Sequence, residues 1–278
     1  MSQLDYLTAA ALGVVQGLTE FLPVSSSGHL ALVQKWFKLE PDSPQMLLFD
    51  VLAHLGTLLA VLIVFAGPFR RFFIRLRNEC RSTWTHKRAG LRILALGVAA
   101  TIPTAIIGLS LRDSFEQAFG RPRWIAVALA VTGLLLAATK WIPRPTHGWR
   151  RFTWWHAIVV GTVQAMAIMP GISRSGATIC AALFLGLRRR WAAEFSFLIA
   201  VPAILGAVVL QLGDAFTRSA ELGAGYGWGP VVLGSFISLI VGVFALRLLL
   251  GVVRSAKLHY FAVYCLLLSV FVFFGAGR

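Results

Sequence analysis

Residues Gln16–His29 read QGLTEFLPVSSSGH: an acid, three successive serines with the glycine that follows them, and an imidazole interrupt an otherwise apolar stretch that runs from 7 to 39. Neither arm beside the interruption reaches the roughly 20 residues a helix needs to cross a hydrocarbon core about 30 Å thick. The Pro, Gly and Ser cluster breaks the helix in its middle, so the stretch reads as a re-entrant helix pair. A second stretch, 155–186, has the same form, with PGISRSGAT, Pro170–Thr178, at its break. Aligned without gaps at an offset of 148 residues, the two match Gly13 with Gly161, Val15 with Val163, Gln16 with Gln164, Ser25 with Ser173, Ser27 with Ser175 and Gly28 with Gly176. The chain therefore reads as an internal duplication.

Composition sets the surroundings of these two breaks. Of 278 residues, 58% are hydrophobic and 13% charged, with a mean hydropathy of +0.77, far more apolar than a soluble domain. Apolar runs predict six full transmembrane spans, near 46–66, 90–110, 124–142, 193–212, 229–250 and 258–275. The expected fold is an all-α polytopic membrane protein forming a single domain over 1–278, with copies at about 1–122 and 150–278. One re-entrant pair and three spans fall in each half, and an odd number of crossings turns the second copy upside down. Inverted re-entrant pairs enter from opposite faces, so their tips can meet near the membrane middle, where irregular backbone survives only if it lines a protein cavity.

The formal net charge of +15 belongs to this topology and not to nucleic acid. Arg70, Arg71, Arg75, Arg77, Arg81, Lys87, Arg88 and Arg92 fall in the 67–92 loop. Lys140, Arg144, Arg150, Arg151, Arg188, Arg189, Arg190, Arg254 and Lys257 fall in three further short loops that the model puts on the same, cytoplasmic, side. Asp5, Glu40, Asp42, Asp113, Glu116, Asp214 and Glu221 fall on the other side, where both termini are expected. Cys80, Cys180 and Cys265 form no CxxC or Cys/His pattern, which argues against a disulfide framework or a zinc site. With no Lys or Arg ahead of its first apolar run and no small-residue cleavage site after it, the N-terminus is expected to be retained. Pro103 and Pro202 are expected to kink their helices, and Trp124, Trp141, Trp154, Trp155 and Trp228 to lie at the membrane interface.

The breaks carry the chemistry. A carboxylate at mid-bilayer costs about 2.5–3.5 kcal/mol on insertion scales, which marks Glu20 as functional or paired. Gln16 lies one turn before it on the same helical face, and the two could hold a hard cation, Mg²⁺ or Ca²⁺; the plain alternative is a hydrogen bond between them. Ser25, Ser26, Ser27 and Gly28 precede a helical arm, so hydroxyls, N–H groups and a helix N-terminus could converge on an anion. His29 is a candidate general acid or base. Arg174, between Ser173 and Ser175, offers a rigid fork that matches phosphate oxygens, with an ion pair to Glu20 as the alternative. Thr178 either adds a hydroxyl to that face or bonds back to its own helix. Asp50 and Glu194 read as interfacial or helix-start acids, and His54 as structural.

QGLTEFLPVSSSGH and PGISRSGAT, with AEFSFLIAVP at Ala193–Pro202, resemble the motifs of the bacterial undecaprenyl-diphosphate phosphatase family, also called the bacitracin-resistance protein family. The resemblance covers nearly the whole chain. It implies hydrolysis of undecaprenyl pyrophosphate to undecaprenyl phosphate and inorganic phosphate, dependence on a divalent cation, and bacitracin resistance. It also implies a multi-pass protein of the bacterial inner membrane with a periplasm-facing site. By motif, Glu20 is similar to the family's metal-linked acid, Ser26 to its candidate nucleophile or phosphate ligand, His29 to its acid–base residue and Arg174 to its pyrophosphate binder; Ser173 and Thr178 fall in the same loop. The family's first acidic position is Gln16 here, which carries no charge and weakens any mechanism needing two carboxylates. Expected partners are the polyprenyl pyrophosphate and membrane lipid, with a homodimer as an open option for assembly. The rival from another class is a transporter or flippase of a phosphorylated lipid.

Overall fold

The computed structural model of the chain describes residues 4–41, 43–81, 88–143, 146–218 and 228–275. Lys87, Asp42, Arg144 and Glu221, and the side chains of Arg81, Glu116 and Asp214, lie outside the described residues. Among the described residues the regular elements are helices. The two broken stretches are α1 (Tyr6–Phe21) with α2 (Ser26–Trp36), and α8 (Trp154–Met166) with α9 (Arg174–Phe184). Between and after them run α3 (Pro44–Val64), α4 (Ala66–Arg81), α5 (Ala89–Ser110), α6 (Arg112–Phe119), α7 (Pro122–Ala138), α10 (Arg189–Arg218), α11 (Trp228–Arg254) and α12 (Tyr260–Gly275).

Among the described residues five helices are long and apolar enough to cross a membrane: Gln45–Val64, Ala89–Ser110, Pro122–Trp141, Arg189–Gly213 and Trp228–Arg254. Where the sequence predicts a sixth full span at 258–275, α12 has 16 residues, about 24 Å at 1.5 Å per residue, because the turn at His259 delays its start. The 67–92 loop is not a loop throughout. α4 occupies most of its first half, with Phe69, Phe72, Phe73 and Leu76 set at helical spacing against Arg70, Arg71, Arg75 and Arg77. Glu79 of α4 then caps α5, its carboxylate accepting from the N–H groups of Gly90 at 2.9 Å and Leu91 at 3.0 Å. Burial alone would raise this carboxyl, but those backbone donors hold it below the ordinary glutamate value.

Much of the surface is apolar. Leu7, Phe244, Leu267, Phe271 and Phe274 are each more than three-fifths exposed, on the first broken arm, α11 and α12. Water would penalise such a continuous face and lipid does not; the protein is a multi-pass membrane protein. Trp124, Trp141, Trp154, Trp155 and Trp228 are all exposed, and Pro103 and Pro202 lie inside α5 and α10.

Packing is organised around two close helix pairs. α1 runs alongside α11, where a side chain at Gly13 would drive into the Gly234 backbone and one at Gly17 into the Ser238 carbonyl. α8 runs alongside α5, where a side chain at Gly161 would strike the Ala100 backbone. Gly13 and Gly161, matched in the sequence alignment of the two broken stretches, thus share a task, letting two backbones touch. Thr104 Oγ1 bridges the second pair, donating to the carbonyls of Ala100 at 3.0 Å and Gly161 at 2.9 Å. The main core lies between the arms, where Phe21, Phe65, Phe152, Phe195 and Phe197 are buried.

Candidate active site

Each break is shaped by its own residues. α1 ends at Phe21 because Pro23 forces Leu22 into extended backbone, φ −59°, ψ 141°. Ser25 then takes φ 74°, a left-handed conformation costly for a residue with a Cβ. It is held there from several sides: its Oγ accepts from Gly28 N at 3.3 Å and from Gly171 N at 3.1 Å, and its carbonyl meets His29 Nδ1 at 2.7 Å. In the second break Gly171 has φ 97°, and a Cβ there would also press on Ile125 O of α7, so only glycine fits. Thr132 Oγ1 of α7 pins that loop, donating to Gly171 O at 3.0 Å and accepting from Ser173 N at 3.1 Å.

The two breaks meet. Besides the Gly171–Ser25 bond, Ser175 Oγ donates to Phe21 O at 2.9 Å, and Arg174 forms an ion pair with Glu20 Oε1. Glu20 is buried, 6% exposed, and is the hub of the site. Its Oε2 accepts from Ser26 Oγ at 2.6 Å and from Gln16 Nε2 at 3.2 Å, and His54 Nε2 lies 3.9 Å away. At the duplication's offset Ser26 and Arg174 occupy matched positions, each the first residue of its helix after a capping serine. The two breaks place a hydroxyl and a guanidinium on either oxygen of one carboxylate.

The remaining expected residues divide by what they touch. Ser25 and Ser173 cap α2 and α9, and Ser27 and Ser175 sit 3.3 Å from their respective caps. Gly28 lets the first break approach Gly171, where an added Cβ would fall 3.2 Å from its Cα. Thr178 is fully buried, donates to Arg174 O at 2.8 Å and is hydrogen-bonded to the Ser196 hydroxyl of α10. These groups build the frame. His29 makes its described bonds away from Glu20: its Nε2 lies 2.7 Å from the Tyr264 hydroxyl of α12, with the rings stacked at 5.7 Å. Because Nδ1 faces a carbonyl it carries the proton, so Nε2 accepts from the tyrosine. Gln164, matched to Gln16 in the sequence alignment, donates to Thr104 Oγ1 at 3.2 Å and Ile199 O at 3.3 Å, and its Oε1 likewise accepts no hydrogen bond among the described residues, but it lies away from Glu20.

His54, Tyr264 and Ser196 were not among the expected site residues. His54 could have been found as an imidazole in an apolar span; Tyr264 and Ser196 carry no sequence signal, since one reads as an aromatic of a lipid-facing helix and the other as a helix hydroxyl. Asp50 is not a simple helix-start acid, since it lies inside α3 and accepts from Gln34 Nε2 at 3.3 Å. Glu194 pairs with Arg190 at 2.8 Å.

The site's donor set suits a hard cation. Gln16 Oε1 is buried and accepts no hydrogen bond among the described residues, and turning that amide over would aim an oxygen at Glu20. With Glu20 Oε2 and Ser26 Oγ it would make an all-oxygen set of the kind Mg²⁺ or Ca²⁺ takes, completed by phosphate oxygens.

Residues 9–271 match the family model described as bacitracin resistance protein BacA. A protein of Carboxydothermus hydrogenoformans named undecaprenyl-diphosphatase is 43% identical over 94% of this chain and 94% of its own length. Proteins of the same name from Desulfatibacillum aliphaticivorans and Syntrophotalea carbinolica are 41% and 42% identical, over 97% and 96% of this chain and 98% and 97% of their own lengths. The buried Glu20, its hydroxyl and guanidinium partners and the helices that hold them all fall inside the matched region, and the chain belongs to the bacitracin resistance protein BacA family.

Proposed function

We propose that this protein is an undecaprenyl-diphosphatase, which hydrolyses undecaprenyl pyrophosphate to undecaprenyl phosphate and inorganic phosphate and so confers bacitracin resistance. The observation that carries the reading is the Ser26–Glu20–Arg174 arrangement: a hydroxyl hydrogen-bonded at 2.6 Å to a buried carboxylate whose other oxygen meets a guanidinium. A nucleophile within hydrogen-bond reach of a base that a third group orients is the arrangement covalent catalysis requires. Ser26 Oγ attacks the terminal phosphorus and gives its proton to Glu20. The bond from phosphorus to the bridging oxygen breaks, undecaprenyl phosphate leaves, and water then cleaves the phosphoserine. Arg174 binds the pyrophosphate through its fork and offsets charge on the transferring group. The N-termini of α2 and α9, which meet at the site, add their positive ends. Glu20, Gln16 and Ser26 would hold Mg²⁺ or Ca²⁺, which when bound neutralises pyrophosphate charge. A transporter would need the arginine but not a hydroxyl bonded to a carboxylate.

The copies are inverted in this reading. Its support is directional: α1 lies beside Gly229 at its start and Gly242 at its end, so it runs with α11 toward Arg254. The start of α8 instead lies with the start of α10, through ring contacts of Trp149 with Trp191 and Phe152 with Phe195. Arg189 and Arg190 at that start share a cavity with Arg254, so α1 and α8 enter from opposite ends. Six crossings are completed by α12, and the arginine-bearing ends face the cytoplasm of the bacterial inner membrane. The catalytic groups open toward the periplasm.

Purified protein in detergent is expected to release phosphate from undecaprenyl pyrophosphate, to lose that activity in EDTA and to regain it with Mg²⁺ or Ca²⁺. Full activity in EDTA would remove the cation from the mechanism, and no release from folded protein would remove the phosphatase. Tyr264→Phe keeps the ring but deletes the donor to His29. If that bond holds His29 where turnover needs it, turnover should fall about 5-fold, the worth of one hydrogen bond of about 1 kcal/mol, with KM unchanged; an unaltered turnover would leave the pair structural.

A further inference from the structure

At the end of the bundle where α3 and α11 finish and α10 begins, a cavity of about 220 Å³ opens between Arg71 of α4, Arg189 and Arg190 of α10 and Arg254 of α11. Val64, Phe65, Pro68, Leu250 and Val253 form its apolar wall. It is remote from the catalytic carboxylate: along α3 alone, His54 and Val64 are ten residues apart, roughly 15 Å at helical rise.

Basic residues at these helix ends are what membrane topology demands, but topology demands only that they be on one side. It does not explain why arginines from three helices, distant in sequence, turn toward one hollow. Nor does it explain why four guanidinium groups share the hollow with a single carboxylate, Glu194, which also lines it. Arg190 is paired with Glu194 at 2.8 Å, whereas Arg71, Arg189 and Arg254 make no hydrogen bond or ion pair among the described residues. Three unpaired guanidinium groups around one cavity repel one another, and an anion placed between them removes that repulsion. Their forked donors suit phosphate oxygens. The apolar wall continues into lipid-facing surface: α4 carries Phe73 and Ile74 exposed beside its arginines, the pattern of a helix lying in a membrane interface.

We propose that this cavity is a second anion site, which binds the phosphate of an anionic phospholipid headgroup while the acyl chains lie against the α3–α4–α11 wall. The site is separate from catalysis and does not rest on the phosphatase reading; it requires only that these helix ends lie at a membrane surface. It would fix α4 against the bundle and the first turn of α10, whose Ser196 braces Thr178 behind Arg174.

Native mass spectrometry of delipidated protein titrated with phosphatidylglycerol, phosphatidylcholine or inorganic phosphate tests this. Wild type should prefer phosphatidylglycerol to phosphatidylcholine by at least about 10-fold, a difference of about 1.4 kcal/mol. The triple variant R71Q/R189Q/R254Q should lose that preference. Leu250→Trp, which fills the hollow and keeps every charge, should lose it too, so a folding defect in either variant does not decide the question alone. Retained preference in both folded variants, or equal binding of the two lipids by wild type, would overturn the site. Saturation by inorganic phosphate with no gain from acyl chains would overturn the lipid assignment.

Discussion

Arg174→Ala is expected to lower phosphate release from undecaprenyl pyrophosphate by about 10³-fold, the scale of losing a preorganised charge on a transferring phosphoryl group. The same substitution should destabilise the fold by about 3–5 kcal/mol, because it leaves the Glu20 carboxylate buried without its cation. The two losses have different cures. Adding Glu20→Gln to Arg174→Ala removes the orphaned charge and should return most of the thermal stability, while activity stays absent. Arg174→Lys should keep the charge and much of the stability but not the forked geometry, and so recover little turnover. The measurements are phosphate release and the thermal midpoint in detergent. A double variant no more stable than Arg174→Ala would show that the pair does not hold the breaks together.

The second large effect concerns Ser26. Its Oγ is bonded to Glu20 Oε2 at 2.6 Å, and Ser26→Ala should reduce turnover by about 10³-fold or more if the hydroxyl is the nucleophile. The side chain is small and half-buried, so the fold should remain intact and substrate should still bind through Arg174. Rapid quench with terminally labelled substrate should place label on the wild-type chain and none on the variant. An unlabelled wild type with the same loss on substitution would make Ser26 a positioning group and leave Glu20 to activate water. The same experiment separates enzyme from transporter, since a transporter labels nothing and releases nothing.

The local sequence carried a large part of this. Helix breaks between Phe21 and Ser26 and between Met166 and Arg174 follow from Pro, Gly and Ser in apolar surroundings, and Gln16, Glu20, Ser26 and Arg174, on the helix ends that flank them, stood out through the cost of polar groups in lipid. Of the matched positions, Gly13 and Gly161 each make a close helix approach and Ser25 and Ser173 each cap a helix. α4 was missed because a dense run of arginines looks like a loop to a hydropathy reading, although its aromatic residues recur at helical spacing. His54 was set aside because a single imidazole in an apolar span has no pattern around it.

What the sequence determined by itself was the medium and the inventory: an apolar helical chain that must satisfy its backbone within helices, with two costly polar breaks. What only the tertiary structure decided was the pairing. Glu20 and Arg174 are 154 residues apart, and no periodicity relates them; they meet because α1 packs on α11 and α8 on α5, each through a glycine, which brings the two breaks tip to tip. The same holds for His29 with Tyr264, 235 residues apart, and for the arginines of α4, α10 and α11 around one cavity. Local sequence sets what each segment can tolerate, while the meeting of distant groups depends on how closely the helices between them can approach.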